Sequence, residues 1–89
     1  MSSVRLAFSS DGVRPLSSLG EGERAVVVGV RAQSGGRADR LLALGVTPGA
    51  RVTMLQTFPG VVFLCDQTEL AVERSVADAV IVSPQERRT

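Results

Sequence analysis

Histidine, lysine, tryptophan and tyrosine are all missing from this 89-residue chain, and cysteine occurs once, at Cys65. Each absence closes a route to function. Without histidine and with one thiol, the chain has no nucleophile–base pair for covalent catalysis, and its carboxylates show no spacing that marks an acid/base couple. Iron(II) and zinc sites draw three or four ligands from His, Cys and carboxylates. Here the remaining donors are Cys65, read as a small core residue in an apolar strand, and Asp66, Glu69 and Glu73, read as solvated edge acids. No catalytic residue, cofactor site or metal ligand is therefore assigned. A lone cysteine forms no internal disulfide, so the core alone must hold the fold. Three Phe are the only aromatics, which leaves little for stacking on bases.

Charge of one sign is scarce too. Ten basic residues, every one arginine, face nine acidic ones for a net charge of +1, which gives no long-range attraction to nucleic acid or to an anionic membrane. No apolar run approaches the roughly 18 residues of a membrane span; the longest, Ala25 to Val30, has the length of a strand. The first ten residues, MSSVRLAFSS, lack the apolar region and cleavage site of a signal peptide. A cytoplasmic protein without direct membrane insertion is expected.

What is present is a small apolar core, with 44% of residues hydrophobic and Ala, Val and Leu dominant. A chain of this length is one domain and buries only about 60 to 65 per cent of its unfolded surface, so its stability is modest. Residues 1–14 read as an N-terminal arm or edge strand, in which Val4, Leu6 and Phe8 alternate with Arg5 and Ala7. Residues 15–83 read as the folded domain, and 84–89 as a polar tail that frays. Leu16 and Leu19 sit in a tight turn and plug one end of the core; Gly20-Glu21-Gly22-Glu23 is a polar loop. Arg24 to Val30 is the first strand, apolar on both faces and so covered on both, with a bulge or bend at Gly29. Arg51 to Thr57, Val61 to Cys65, Leu70 to Val72 and Val80 to Val82 follow as strands. Phe58-Pro59-Gly60 and Asp66-Gln67-Thr68 supply the connecting turns. Ser75-Val76-Ala77-Asp78 has the S-x-x-D form of a helix N-cap.

The chain is organised around Arg37 to Val52. Ala38, Leu41 and Leu42 fall on one helical face, after a flexible Gln33-Ser34-Gly35-Gly36 connection. Gly45 stands where a left-handed C-terminal cap belongs, with Val46 placed to touch Leu41. Pro48-Gly49 then turns the chain into a strand beginning at Arg51. Gly45 and Gly49 are thus structural turn residues. Short strands, one short helix and a returning last strand predict a mainly β fold, a small SH3-like, partly open barrel with a helical turn before the last strand.

The series Leu16-x-x-Leu19-x-x-Gly22-Glu23-x-Ala25-x-Val27, then Arg40-Leu41-Leu42-x-Leu44-Gly45-Val46-x-Pro48-Gly49-x-x-Val52, then Pro59, Leu70-Ala71-Val72 and Ala77-x-x-Val80-x-Val82, resembles the FeoA family of ferrous-iron transport proteins. A glycine-capped helix running straight into a Pro-Gly turn is its most specific part. The resemblance implies an SH3-like barrel in the cytoplasm, linked at the family level to transition metal ions and acting as a protein–protein interaction module on the membrane iron transporter FeoB. Glu73 follows Leu70-Ala71-Val72 where this family commonly has arginine, which here comes only at Arg74. A similar domain ends iron-dependent repressors, so a detached regulatory domain of that type is one alternative. Another is a nucleic-acid-binding barrel, with Arg31, Arg37, Arg40 and Arg51 gathered around the helix. No aromatic is interleaved with those arginines, which favours a solvated face over a nucleic-acid site. The expected partner surface is the helix and its following turn: Arg37, Arg40, Val46, Pro48 and Arg51. Self-association is left open.

Overall fold

A computed structural model describes residues 12–31 and 37–85, with the side chains of 37 and 38 outside that description. The Val4–Phe8 strand, the Gln33–Gly36 connection, the placement of Ala38 and the tail beyond Gln85 all fall outside it. Six strands form one antiparallel sheet in the order β1-β6-β2-β3-β4-β5. They are β1 Arg14–Pro15, β2 Arg24–Val30, β3 Arg51–Gln56, β4 Val61–Cys65, β5 Thr68–Val72 and β6 Val80–Pro84. Helix α1 spans Arg37–Ala43, the single-turn helix α2 spans Arg74–Ala77, and a 3-10 turn occupies Leu16–Ser18. Among the described residues the sheet does not close on itself: β1 and β5 are its two edges. This is the expected partly open, mainly β fold.

Every consecutive strand from β3 to β5 is joined by a short hairpin, and alternation within them selects the inner face. Val61, Phe63 and Cys65 of β4 are buried while Val62 and Leu64 are half-buried. Phe63, Met54, Val27, Val46, Val80 and Val82 are each at most 1% exposed and occupy the centre of the core. Leu16 and Leu19 are likewise buried, so the two leucines do plug the core as expected.

Strand β2 differs from expectation. Both of its faces were to be covered, yet Val28 is 48% exposed. Alternation explains this: Ala25 and Val27 point into the core, so Val28 shares the outer face with Val26. The register then shifts between Val27, opposite Val82, and Gly29, opposite Ile81, and beyond this bulge Val30 packs against the core. Leu55, 42% exposed, faces outward by the same alternation after buried Met54, and a second shift lies between Met54 and Gln56.

Two further local readings are corrected. β1 is a sixth strand that a two-residue segment containing proline does not announce; it pairs Arg14 with Val82 and Pro15 with Ile81. The S-x-x-D segment is not an N-cap. Glu73 is the N-cap residue, in extended conformation, and its carbonyl accepts from Val76 and Ala77 N–H at 2.9 and 3.1 Å. Ser75 lies inside the helix, and Asp78, at its C-terminal end, instead accepts a hydrogen bond from the Ser17 hydroxyl. The ladder of β6 continues through Pro84, and Gln85 N–H donates to the Arg24 carbonyl at 2.9 Å.

Candidate functional site

Helix α1 ends in a Schellman cap. Gly45 N–H donates to the Leu42 carbonyl and Val46 N–H to the Leu41 carbonyl, both at 3.0 Å. Gly45 supplies the positive φ of 100° that this geometry requires. Thr47 and Ala50 then close a turn, Ala50 N–H to Thr47 carbonyl at 2.9 Å. Pro48 fixes φ at its first central position, and Gly49 has φ 95° at the second, the requirement of a type II turn. Gly49 N–H donates to the Val27 carbonyl at 2.8 Å, and Val27 N–H to the Ala50 carbonyl at 2.8 Å. The cap and turn thereby seat the helix at a fixed angle against the sheet.

The consequence is a groove of about 430 Å³ between α1 and the far edge of the sheet. Arg40, Leu41 and Leu44 form its helix wall. Ala71 and Val72 from β5, with Glu73 and Val76 from the start of α2, form the other. Leu41 is buried, whereas Leu44 keeps 46% of its surface in solvent. One cation and one anion therefore stand on opposite walls of an apolar floor.

The residues expected to meet a partner are dispersed. Arg40 lines the groove. Val46 does not belong to any surface, because it is fully buried; the cap that directs its N–H to Leu41 also turns its side chain into the core. Pro48, in the turn docked on β2, and Arg51, at the start of β3, are exposed, and neither lines the groove. Arg51 N–H donates to Asp66 Oδ1 at 3.2 Å, and Asp66 N–H returns a bond to the Arg51 carbonyl at 2.7 Å. Arg37 opens α1. Leu42, expected to share the buried face with Leu41, is 45% exposed, since one seven-residue helix covers the core with only part of its leucines. That surplus, Leu41, Leu42 and Leu44 within four positions, was the available signal for the groove wall. Ala71, Val72, Glu73 and Val76 carried no such signal.

Cys65 is buried, as expected for a core residue, and its thiol donates to the Gly45 carbonyl at 3.5 Å. Burial, with Asp66 adding a smaller contribution, pushes the thiol above its ordinary ionisation range. The thiol stays protonated in the folded chain while the unfolded one ionises at lower pH, so this contribution to stability is complete below the ordinary thiol range and lost as pH rises through the folded-state value. Ellman's reagent at pH 8 is expected to react with Cys65 at least about ten times more slowly in the native protein than in guanidinium. Equal rates would place the thiol at the surface. Among the described residues no three His, Cys, Asp or Glu side chains gather as a metal site, and no helix is long and apolar enough to cross a membrane.

An open six-stranded β domain with a capped helix across one end, presenting an amphipathic groove, is a small SH3-like domain. The FeoA domain matches residues 14–84, and the chain belongs to that family. It is similar to a FeoA protein from Chlorobium tepidum, at 31% identity and a TM-score of 0.73, over 81% of this chain and 70% of that one. It is also similar to FeoA from Stenotrophomonas maltophilia, at 29% identity and a TM-score of 0.73, over 84% of this chain and 99% of that one. That structure was solved with zinc and described as a prokaryotic SH3 domain protein, a candidate bacterial ferrous iron transport activating factor. The fold alone is shared with IdeR of T. acidophilum, at 18% identity and a TM-score of 0.75, over 82% of this chain and 34% of that one. No curated protein matches the chain.

Proposed function

We propose that this chain is a cytoplasmic accessory protein of ferrous-iron transport and acts by docking on the cytosolic portion of a FeoB-type transporter. Family membership supports the iron-transport role. The observation that carries the docking reading is the groove itself: Leu44 is held 46% exposed beside Arg40, although the same helix buries Leu41. Apolar surface left in solvent next to arginine is the composition of an interface centre, where the guanidinium adds a planar charge on an apolar stem. An interface centred on so small a groove buries about 1,200 Å² or less, the range of transient complexes.

Combining Arg40→Ala with Leu44→Ser, which removes the arginine stem and the exposed leucine without adding an acid, is expected to weaken binding to the transporter's cytosolic domain about 10-fold or more, equivalent to about 1.4 kcal/mol. Surface plasmon resonance measures this, with circular dichroism as the folding control. A folded double variant that binds like wild type moves the interface elsewhere, and an equal loss for Arg51→Glu alone moves it to the Pro48–Arg51 turn. A wild-type chain that does not bind the domain makes the partner assignment wrong. The nucleic-acid reading has no comparable support, because no aromatic side chain lines the groove beside Arg40.

A further inference from the structure

The groove borders an edge strand. Among the described residues β5 pairs on one side only, with β4. The two strands are joined by the two-residue turn Asp66-Gln67, and the register sets Cys65 opposite Thr68, Phe63 opposite Leu70 and Val61 opposite Val72. In such a hairpin the pair flanking the turn exchanges hydrogen bonds and every second pair does so after it. The N–H and C=O of Leu70 and Val72 therefore point to β4, and those of Glu69 and Ala71 point away from the sheet. Side chains alternate as well. Leu70 is buried and Val72 half-buried, whereas Glu69, Ala71 and Glu73 are exposed. Glu69 and Glu73 take no part in the ion pair present among the described residues, which joins Arg14 to Glu23 at 3.6 Å.

From this edge we infer the chemistry of the segment that docks: an extended, basic stretch of the partner adds to β5 as a further strand. Its backbone bonds to Glu69 and Ala71. Its side chains of one phase lie in the groove against Leu44 and Val72, and those of the other phase, lysine or arginine, stand beside Glu69 and Glu73. Edge strands with free backbone groups accept strands in this way, main-chain bonds supplying affinity and alternate side chains supplying specificity. Opposite charges on neighbouring strands attract and like charges repel, so the two acids select a cationic segment and reject an acidic one. This rests on the docking reading above and adds the identity of what enters the groove.

Ala71→Pro tests the strand addition. Proline removes the outward N–H of Ala71 without touching a bond to β4, and edge strands tolerate it. With an unchanged thermal melt, affinity for the transporter's cytosolic domain is expected to fall about 10-fold or more. Glu69→Lys with Glu73→Lys, which leaves the backbone alone, is expected to produce a loss of similar size. If both variants fold and bind like wild type, strand addition is wrong while docking stands.

A second arm needs no transporter. An acetylated seven-residue peptide alternating valine with lysine, titrated against the ¹⁵N-labelled chain, is expected to shift and protect from exchange the amides of Glu69 and Ala71, leaving those of Leu70 and Val72 nearly unchanged. The valine–glutamate counterpart is expected to give no such pattern. Equal responses to the two peptides, or none to the basic one, overturn the inference; failure of the wild-type chain to bind the cytosolic domain instead removes the docking reading.

Discussion

Phe63→Ala is expected to cost about 3 to 5 kcal/mol and to leave the chain largely unfolded near physiological temperature. Phe63 is fully buried at the middle of β4, paired with Met54 on one side and Leu70 on the other. It is the largest of the fully buried side chains, so alanine there opens a cavity at the point where the two hairpins meet. A domain of this size has a total stability of only about 5 to 13 kcal/mol, so the loss removes a large share of it. Guanidinium denaturation followed by circular dichroism gives the value. A loss below about 1 kcal/mol would mean that the core closes over the cavity and that Phe63 is not its centre.

Gly45→Val is expected to destabilise by about 1 to 2 kcal/mol or more. The reason is conformational, because an added Cβ would meet no atom within 4 Å at this position. A φ of 100° is costly for a β-branched residue, and escaping it breaks the two capping bonds to Leu41 and Leu42. Those bonds hold Val46 in the core and Leu44 at the groove, so the variant is expected to lose partner affinity along with stability. Gly29→Ala is the control: Gly29 also has open space around it but no positive φ, and alanine there should change stability by less than about 0.5 kcal/mol. Superimposable melts for Gly45→Val and wild type would show the cap to be dispensable.

The shape of the groove depends on the cap. α1 meets the sheet at an angle set by Gly45, by the Pro48-Gly49 turn and by the bond from Gly49 N–H to the Val27 carbonyl at 2.8 Å. Leu44 lies on the inside of that angle. The Cys65 thiol reaching the Gly45 carbonyl ties the same cap to β4. A small change at the cap is therefore transmitted to the spacing between Leu44 and β5, with no direct contact to a partner.

The sequence by itself determined what short-range chemistry controls. The Gly45 cap needs only the residues from Leu41 to Val46, and the Pro48-Gly49 turn only those from Thr47 to Ala50. The β2 and β4 strands follow from runs of apolar residues bounded by turn formers. Tertiary structure alone decided the rest. Burial of Val46 is settled by which way the capped chain turns relative to β4. Packing of Val30 rather than Gly29 against the core is settled by a bulge, which shifts β2 by one residue and exchanges its inner and outer faces beyond Val27. β1 exists because Arg14 and Pro15 find Val82 and Ile81 beside them, not because two such residues prefer a strand. The groove joins Arg40 and Leu44 to Ala71 and Glu73, far apart in the chain and brought together by a hairpin register. No local pattern encodes that proximity, because side-chain periodicity fixes the face a residue occupies within its own element and not the element that comes to lie opposite.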